Sequence, residues 1–531
     1  MIDLFKSEKR SLIIISVYYA ISQCLILIVT GMWGDDWCLI NLSNSGLYSW
    51  AMEMGKPDVY YIVKAIMGAP EVFYKIIIFL CYYVVTICFW GICKSLFSLS
   101  SGDALVLALV YLSIPINDIR IERLTIPYAL GLSLWFTAFF LFVYKYTSLH
   151  FFLFRFLILI LFFFSFILNS MLVFYGFVWL TMLILERLNP KAIIKKFDFI
   201  FLPFMFYILK NHFYPAHGSY QGYNNVSMFS ILAGMPLTIL KAKVVVKEVV
   251  NSYFSIIFEH SAFAFALVFI IVLIGIISSA RGLSDQSVCP SALRNVLFEF
   301  WAGVLAILAG LYPYVVVNSV ITTKGFNGRN CILVPFGLSL VFDSGLKLLC
   351  KKNGRLFICL LLMVSGAIYY STAYSEYQAS NYWDRGLQEC LKLNTQVGQA
   401  KTVVIVREGK TYDEINNSLY KMNGLFEEVY GNENRLVVND YNTRIITDRV
   451  FTQEDTKYEV YNMMGFDTDY NNIDVILVYE NDIDAREAIK LRVQQLLGMS
   501  IDSCIVDHSS LQVIWPNNDE FSYYLSEIMG A

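Results

Sequence analysis

Long apolar runs recur along the first 375 residues, and they limit the possible fold more than any other feature of the chain. A helix that crosses a bilayer needs about 20 predominantly apolar residues. About eleven segments approach this requirement. They centre on Ser11–Gly31, Tyr74–Trp90, Ala104–Ile116, Ile126–Tyr144, Phe151–Leu168, Met171–Leu185, Phe197–Leu209, Ile256–Ser279, Leu297–Val317, Cys331–Leu348 and Leu356–Tyr374. The sequence therefore predicts an α-helical polytopic membrane protein.

The composition supports a membrane protein and argues against a nucleic-acid partner. Hydrophobic residues make up 57% of the chain and charged residues 16%, compared with roughly 25% charged residues in soluble domains. The 40 basic and 43 acidic residues give a net charge of −3, so no excess positive field exists to neutralise a phosphate backbone. We expect the lipid bilayer to be a partner and nucleic acid not to be one.

Lysine and arginine collect in alternate short loops, which predicts the orientation of the chain in the membrane. The basic loops include Lys6–Arg10, Arg187–Lys196 and Lys347–Arg355. Basic loops face the cytoplasm, and an odd number of spans then places the C-terminal region outside it. Residues 1–374 are predicted to be the transmembrane domain, with extracytoplasmic loops at 34–73 and 211–255.

Residues 375–531 have the composition of a soluble domain and are predicted to form a small extracytoplasmic α/β domain. The predicted strands are Thr402–Val406, Leu436–Val438, Val475–Tyr479 and Ser510–Trp515, and the predicted helices are Tyr412–Tyr420 and Ile483–Leu497. No nucleotide-binding glycine motif occurs in this region. Cys390 and Cys504 would form one disulfide if the region faces an oxidising compartment.

Two adjacent carboxylates, Asp35 and Asp36, directly follow the first apolar run within Gly34-Asp35-Asp36-Trp37. At the mouth of a membrane cavity they would repel each other and lose hydration, which raises one pKa and makes that aspartate a proton acceptor near neutral pH. Alternatively the pair binds a divalent cation, or it only marks the end of a span. Asp36 and Asp35 are the candidate catalytic residues, with Asp36 favoured, and no residue is assigned to a metal.

Arg120 and Arg123 lie in a short loop on the predicted outer side, where arginine is disfavoured. Pairing with Asp118 and Glu122 is the slightly favoured explanation. The alternative is that the two arginines hold an anionic substrate or anchor the acidic pair.

A second cationic loop, residues 322–329, contains Lys324, Arg329 and two glycines. No acidic residue lies between Asn318 and Asn330, and amides freed by glycine also point at anions, so the loop favours a phosphate site. A carboxylate distant in sequence would satisfy the same charges. Arg120, Arg123, Lys324 and Arg329 are the candidate phosphate-binding residues.

Aromatic and polar residues are mixed at residues 211–220, which contain two of only five histidines. Such mixtures are typical of surfaces that stack on sugars and bind hydroxyls. His212, His217 and Tyr214 are therefore candidate substrate-binding residues, together with Trp37 beside the acidic pair.

These features together resemble the GT-C class of membrane glycosyltransferases. The run Gly34-Asp35-Asp36-Trp37 with Leu39-Ile40 and Ser45-Gly46-Leu47-Tyr48 is similar to the first loop of bacterial glucosyltransferases that modify O-antigen and related surface glycans. Where relatives often have an arginine after the glycine, this chain has Leu47. The resemblance implies Asp36 or Asp35 as the catalytic base and, more loosely, Arg120 or Arg329 as a phosphate partner.

The resemblance also implies the reaction and the location. A polyprenyl-phosphate-linked sugar would be the donor, a surface glycan such as O-antigen the acceptor, and the bacterial cytoplasmic (inner) membrane the site, with inversion at the sugar. No cofactor is predicted except a divalent cation in the alternative given above. The competing functions are a transporter or flippase of lipid-linked sugars and a glycan polymerase or ligase. The predicted spans have few polar interruptions apart from Asn169, which favours chemistry at one membrane face over transport.

Overall fold

The computed structural model describes residues 8–33, 36–37, 43–222, 226–259, 290–350, 352–408, 419–431, 436–439 and 473–529. Helices dominate the first three quarters of the chain. They are α1 (Lys9–Gln23), α2 (Leu25–Ile28), α3 (Asn44–Glu53), α4 (Pro57–Met67), α5 (Glu71–Leu96), α6 (Ser101–Ser113), α7 (Ile126–Tyr144), α8 (Phe152–Ser165), α9 (Ser170–Phe174), α10 (Gly176–Leu185), α11 (Pro190–Ile194), α12 (Phe197–Phe213), α13 (Met228–Glu259), α14 (Pro290–Val316), α15 (Val334–Leu349) and α16 (Lys352–Leu393).

Within the described residues, five helices are long and apolar enough to cross a membrane. They comprise α5, α13, α14, a segment running into α7 from Arg123, and α16. Shorter apolar helices occur at Ser101–Ser113, Phe152–Ser165 and Ser170–Leu185. The chain thus has the character of a multi-pass helical membrane protein. Most of the predicted span Ile256–Ser279 lies outside the described residues.

Helix α13 covers most of residues 211–255, which were predicted to be an extracytoplasmic segment between two spans. It is 32 residues long, and Val245, Val249 and Tyr253 pack with apolar residues of α14 and α15. The three lysines of this segment, Lys241, Lys243 and Lys247, favour an amphipathic helix on the membrane surface from sequence. Of the valines between them, Val245 is buried against the bundle, whereas Val244 is 46% exposed.

A buried ionic network joins four helices of the bundle. Asp343 on α15 pairs with Arg355 on α16 and with Lys347, each at 2.7 Å, and Lys347 also pairs with Glu299 on α14 at 2.7 Å. Arg355 reaches Asp103 on α6 at 2.6 Å. The expectation that these spans are nearly free of polar interruptions is therefore wrong for α14 and α15.

Helix α16 runs without a break for 42 residues. The predicted boundary between residues 374 and 375 lies inside this helix, although the composition changes there. The first half of α16 packs in the main bundle core through Val364, Tyr370 and Tyr374. Its second half belongs to the core of the C-terminal region through Trp383 and Leu387.

The described C-terminal residues form an α/β unit. Its elements are β1 (Thr402–Glu408), α17 (Leu419–Tyr430), β2 (Leu436–Asn439), β3 (Val475–Asn481), α18 (Ala485–Leu496), α19 (Asp502–Asp507), β4 (Ser509–Ile514) and α20 (Asp519–Met529). The sheet order is β2-β1-β3-β4. Strand β1 is parallel to β2 and β3, and β4 is antiparallel to β3. All four predicted strands are confirmed.

The predicted helix Ile483–Leu497 is confirmed as α18, whereas most of the predicted helix Tyr412–Tyr420 lies outside the described residues. Cys390 and Cys504 are both free thiols in the structure. The two cysteines therefore do not form the disulfide that an oxidising compartment would permit.

Candidate functional site

Asp36 is held by the backbone of the loop that contains the two arginines. Its Oδ2 accepts a hydrogen bond from the Arg123 amide and its Oδ1 accepts one from the Leu124 amide, both at 3.2 Å. These amides lie at the start of a 3-10 turn, Arg123–Thr125, that leads directly into α7. First-turn amides have no partner within their own helix and suit an anion. The Asp36 carboxylate fills this role from 87 residues away in sequence.

Local sequence explains the shape of this loop. Asn117 adopts a left-handed conformation with φ of 63°, which asparagine tolerates better than most residues. Its side-chain amide donates to the Tyr82 hydroxyl at 2.9 Å. Thr125 then closes the loop by donating to the carbonyls of Glu122 and Arg120 at 2.7 and 3.0 Å. The loop is therefore fixed at both ends, which orients the amides that bind Asp36.

Burial dominates the protonation of Asp36, whose side chain is only 3% exposed. Desolvation raises the pKa of Asp36 to about 7, against the opposing effects of the hydrogen bonds from the Arg123 and Leu124 amides and of the Arg123 charge. Asp36 therefore takes up a proton more readily than an ordinary aspartate, which suits a group that accepts a proton.

Among the described residues, the side chains of Arg120 and Arg123 contact a backbone carbonyl, a sulfur atom and aromatic rings. Pairing with Asp118 and Glu122, the explanation that the sequence favours, is not among these contacts. Arg120 is 6% exposed and lies between the rings of Tyr82 and Tyr370, at 4.8 and 4.2 Å from their centroids. Cation–π contacts stabilise a buried cation by about 2 kcal/mol, much less than burial of its charge costs.

Arg123 faces a cavity. Its guanidinium lies 5.2 Å from the centre of the Tyr74 ring, and its buried Nε has no hydrogen-bond partner among the described residues. The cavity has a volume of about 410 Å³ and lies between the helical bundle and the C-terminal unit. The bundle side is formed by Thr30, Gly31, Met32, Trp37, Glu71 and Arg123, and the other side by Asn381, Asp384, Arg385, Gln388, Glu428, Arg492 and Gln495.

The other charged groups of this cavity have partners within the protein. Glu71 accepts from Lys75 at 2.7 Å, and Asp384 pairs with the fully buried Lys421 at 2.8 Å. Arg385 pairs with Asp502. Arg123 differs from these three residues because its guanidinium forms no ion pair with a described residue. Arg492 also lines the cavity without a described ion pair, but it donates to the Ile28 carbonyl at 2.7 Å and to Gln495 Oε1 at 2.6 Å. Asp36 does not line the cavity, but both Trp37 and Arg123 do.

Trp37 has a structural role that its sequence position did not suggest. Its indole donates to the Met32 carbonyl at 3.1 Å, and its ring packs in the core of the C-terminal unit with Trp383. A Cβ added at Gly424 would come within 2.6 Å of the Trp37 ring. Trp37 therefore fastens the start of the first loop to α17, although it also lines the cavity.

The loop with Lys324 and Arg329 packs on the arginine loop. The backbone amide of Asn117 donates to the Thr323 carbonyl, and the backbone amide of Gly325 donates to Asp118 Oδ1, both at 3.0 Å. Asp118, which is distant in sequence, thus accepts a hydrogen bond from the Gly325 amide, which was expected to face a phosphate. The Lys324 ammonium is exposed, 5.8 Å from the Tyr369 ring. The Arg329 guanidinium lies 3.3 Å from the Phe326 ring centre.

The histidine segment lies on another part of the molecule. The His217 amide donates to the Glu53 carbonyl at 2.9 Å, so the segment packs at the end of α3. His212, Tyr214 and His217 are exposed, and none of them lines the cavity within the described residues. Their role in substrate binding stays a prediction.

Asp35 lies outside the described residues. Among the residues that the structure describes, no group of three or more His, Cys, Asp or Glu side chains could hold a metal ion. The cavity residues from the C-terminal unit were not predicted from sequence. Asp384 and Arg385 are charged positions on a helix, and no spacing rule distinguishes them from ordinary surface charges.

No protein-family model matches the chain, and no curated protein matches it in sequence. The functional assignment therefore depends on the geometry around Asp36 and on the resemblance of its first loop.

Proposed function

We propose that this protein is a membrane glycosyltransferase that moves a sugar from a polyprenyl-phosphate donor to a glycan acceptor at the extracytoplasmic face. One observation carries the proposal. A single loop supplies the amides that hold a buried carboxylate with a pKa near 7 and also two arginines without a described carboxylate partner. A proton acceptor and anion-binding groups next to each other are what this reaction needs.

In the proposed reaction an acceptor hydroxyl attacks the anomeric carbon of the donor sugar. The new carbon–oxygen bond forms as the bond from the anomeric carbon to the phosphate oxygen breaks, and its electron pair leaves with polyprenyl phosphate. Asp36 accepts the hydroxyl proton. Arg123, which lines the cavity, stabilises the charge that develops on the phosphate, and the buried Arg120 of the same loop adds a second positive charge. A single displacement inverts the configuration at the sugar.

The second candidate function is a transporter or flippase of lipid-linked sugars. The ionic network of Asp343, Lys347, Glu299, Arg355 and Asp103 favours it, because ionisable groups within membrane helices often mark a transport path. Every carboxylate of this network, however, has a cationic partner within 2.7 Å. Such mutual pairing is typical of a tie between helices, so glycosyl transfer remains the better supported function.

The direct test uses purified protein with a panel of radiolabelled polyprenyl-phosphate sugars and isolated membrane glycans. The proposal predicts that label from one donor becomes covalently attached to a glycan, with release of polyprenyl phosphate. The same labelled donors are also placed in proteoliposomes that contain the protein, and movement of the lipid across the bilayer is measured. If labelled lipid crosses the bilayer and no glycan is labelled, the protein is a flippase. A glycan polymerase or ligase would accept only donors that carry several sugars.

A further inference from the structure

Four large apolar side chains are exposed together at the end of α18. Val493, Leu496, Leu497 and Met499 have exposed fractions of 45%, 56%, 76% and 54%. The chain turns immediately after the helix at Gly498, with φ of +84°, and the Met499 amide donates to the Gln494 carbonyl at 3.1 Å. This is a usual helix-ending turn in which glycine takes the left-handed position. Apolar patches of this kind mark contact surfaces.

The patch continues a stripe that is already in contact with the helical bundle. Ile489, Val493 and Leu496 are spaced i, i+4 and i+7, so they lie on one face of α18. Ile489 packs against the main apolar core of the bundle. The remainder of the stripe, Val493 and Leu496, is exposed among the described residues.

Hydrogen bonds fix the level of this stripe relative to the bundle. Arg492 Nε donates to the Ile28 carbonyl, at the end of α2, at 2.7 Å. Three residues later, the Gly31 amide donates to Glu71 Oε1 at 3.0 Å. Glu71 is the first residue of α5, one of the five helices able to cross a membrane. The patch therefore lies at the level where a candidate span begins.

The surface around this level is suited to lipid. Val72 and Phe73, in the first turn of α5, are both 52% exposed, and Ile21 on α1 is 38% exposed. Apolar side chains exposed on membrane helices face acyl chains. Val72 and Phe73 therefore expose apolar surface at the same level of the bundle as the α18 stripe.

We propose that Val493, Leu496, Leu497 and Met499 insert among the acyl chains of the lipid leaflet at this end of the bundle. Short apolar segments partition into the boundary between headgroups and acyl chains in this way. The insertion holds the C-terminal unit against the membrane beside the cavity. It depends on the multi-pass character of the chain but not on the reaction proposed above.

The test places a genetically encoded fluorescent amino acid at Leu497 and reconstitutes the protein in bilayers that contain brominated lipids, which quench on contact. The matched control is Leu393, which is 77% exposed. Gln378 Oε1 accepts from the Thr30 amide at 2.8 Å, so Gln378 lies near the level of the patch. Leu393 lies about 22 Å further along α16, at about 1.5 Å per residue.

We expect the probe at Leu497 to be quenched by brominated lipid at least about twofold more than the probe at Leu393. Gel filtration in detergent confirms that both labelled proteins are folded. Equal quenching at the two positions would overturn the proposal. Protection of the Leu497 probe from aqueous iodide without quenching by brominated lipid would also overturn it, because a protein surface would then cover the patch.

Discussion

At the residue scale, burial and hydrogen bonding have opposite effects on the pKa of Asp36. Two backbone amides and the nearby Arg123 charge stabilise its carboxylate, yet desolvation is larger and the pKa rises to about 7. A structural carboxylate at a helix start normally gains from this position. Asp36 is instead less stable when charged than it would be in water, and such a cost is common at functional sites.

The raised pKa of Asp36 predicts how stability changes with pH. The folded pKa of about 7 exceeds the unfolded value of about 3.9, so the folded state binds more protons between these values. The stabilisation from protonated Asp36 is complete below about pH 4 and is lost as the pH rises through about 7. The Asp36→Asn variant cannot titrate at this position, so we expect its stability to fall by a few kcal/mol less over this pH range than that of the wild type. Melting temperatures from pH 4 to pH 8 measure the difference. An unchanged pH profile would show that Asp36 titrates normally.

Arg123 should affect binding of the donor more than other cations of the cavity. Replacing it with Ala is expected to raise the apparent donor KM by about tenfold, equivalent to about 1.4 kcal/mol, because its guanidinium has no described ion-pair partner. Arg385→Ala is the matched control, since Arg385 lines the same cavity but pairs with Asp502. If the two substitutions change the donor KM equally, Arg123 does not contribute more to donor binding than Arg385.

The loop around residues 322–329 carries a separate prediction. Lys324→Ala or Arg329→Ala is expected to raise the donor KM by about tenfold if this loop holds the phosphate. The Gly325 amide already donates to Asp118, so the side chains alone would bind the anion. Donor titrations that give the wild-type KM for both variants would exclude the loop from the site.

At the element scale, the patterns that sequence reveals are the local ones. The strands were predictable because short runs such as Val403–Val406 and Val475–Val478 combine β-branched residues with clear breaks. The hydrogen bonds between Asp36 and the amides just before α7 were not predictable, because no local pattern relates positions 87 residues apart. The continuity of α16 was not predicted because the composition changes near residue 375, from mostly apolar to mixed polar and apolar, while the helical propensity does not change.

A buried ion pair joins two elements of the described C-terminal unit. Lys421 on α17 and Asp384 on α16 are almost fully buried and lie 2.8 Å apart. Removing one partner leaves a buried charge, so Lys421→Met should destabilise the protein by about 3–5 kcal/mol. The double variant Lys421→Met with Asp384→Leu should recover most of this loss in thermal unfolding. A single variant as stable as the wild type would mean that water reaches Asp384.

At the scale of the whole molecule, α16 connects the helical bundle to the C-terminal unit and therefore fixes where the cavity lies. Loop charges predict that this unit is outside the cytoplasm. Alkaline phosphatase fused after Ala531 should accordingly be active, and a reporter that works only in the cytoplasm should be inactive there. The opposite result would reverse the orientation and place the cavity on the face without surface glycans.

The most direct test of the proposed function is the rate of sugar transfer by Asp36→Asn. Asparagine keeps the size of the side chain but cannot accept the proton, so kcat should fall by roughly 10² to 10⁴. The donor KM and the gel-filtration profile should stay close to those of the wild type. Transfer at a near wild-type rate by this variant would contradict Asp36 as the base and, with it, the mechanism proposed for this site.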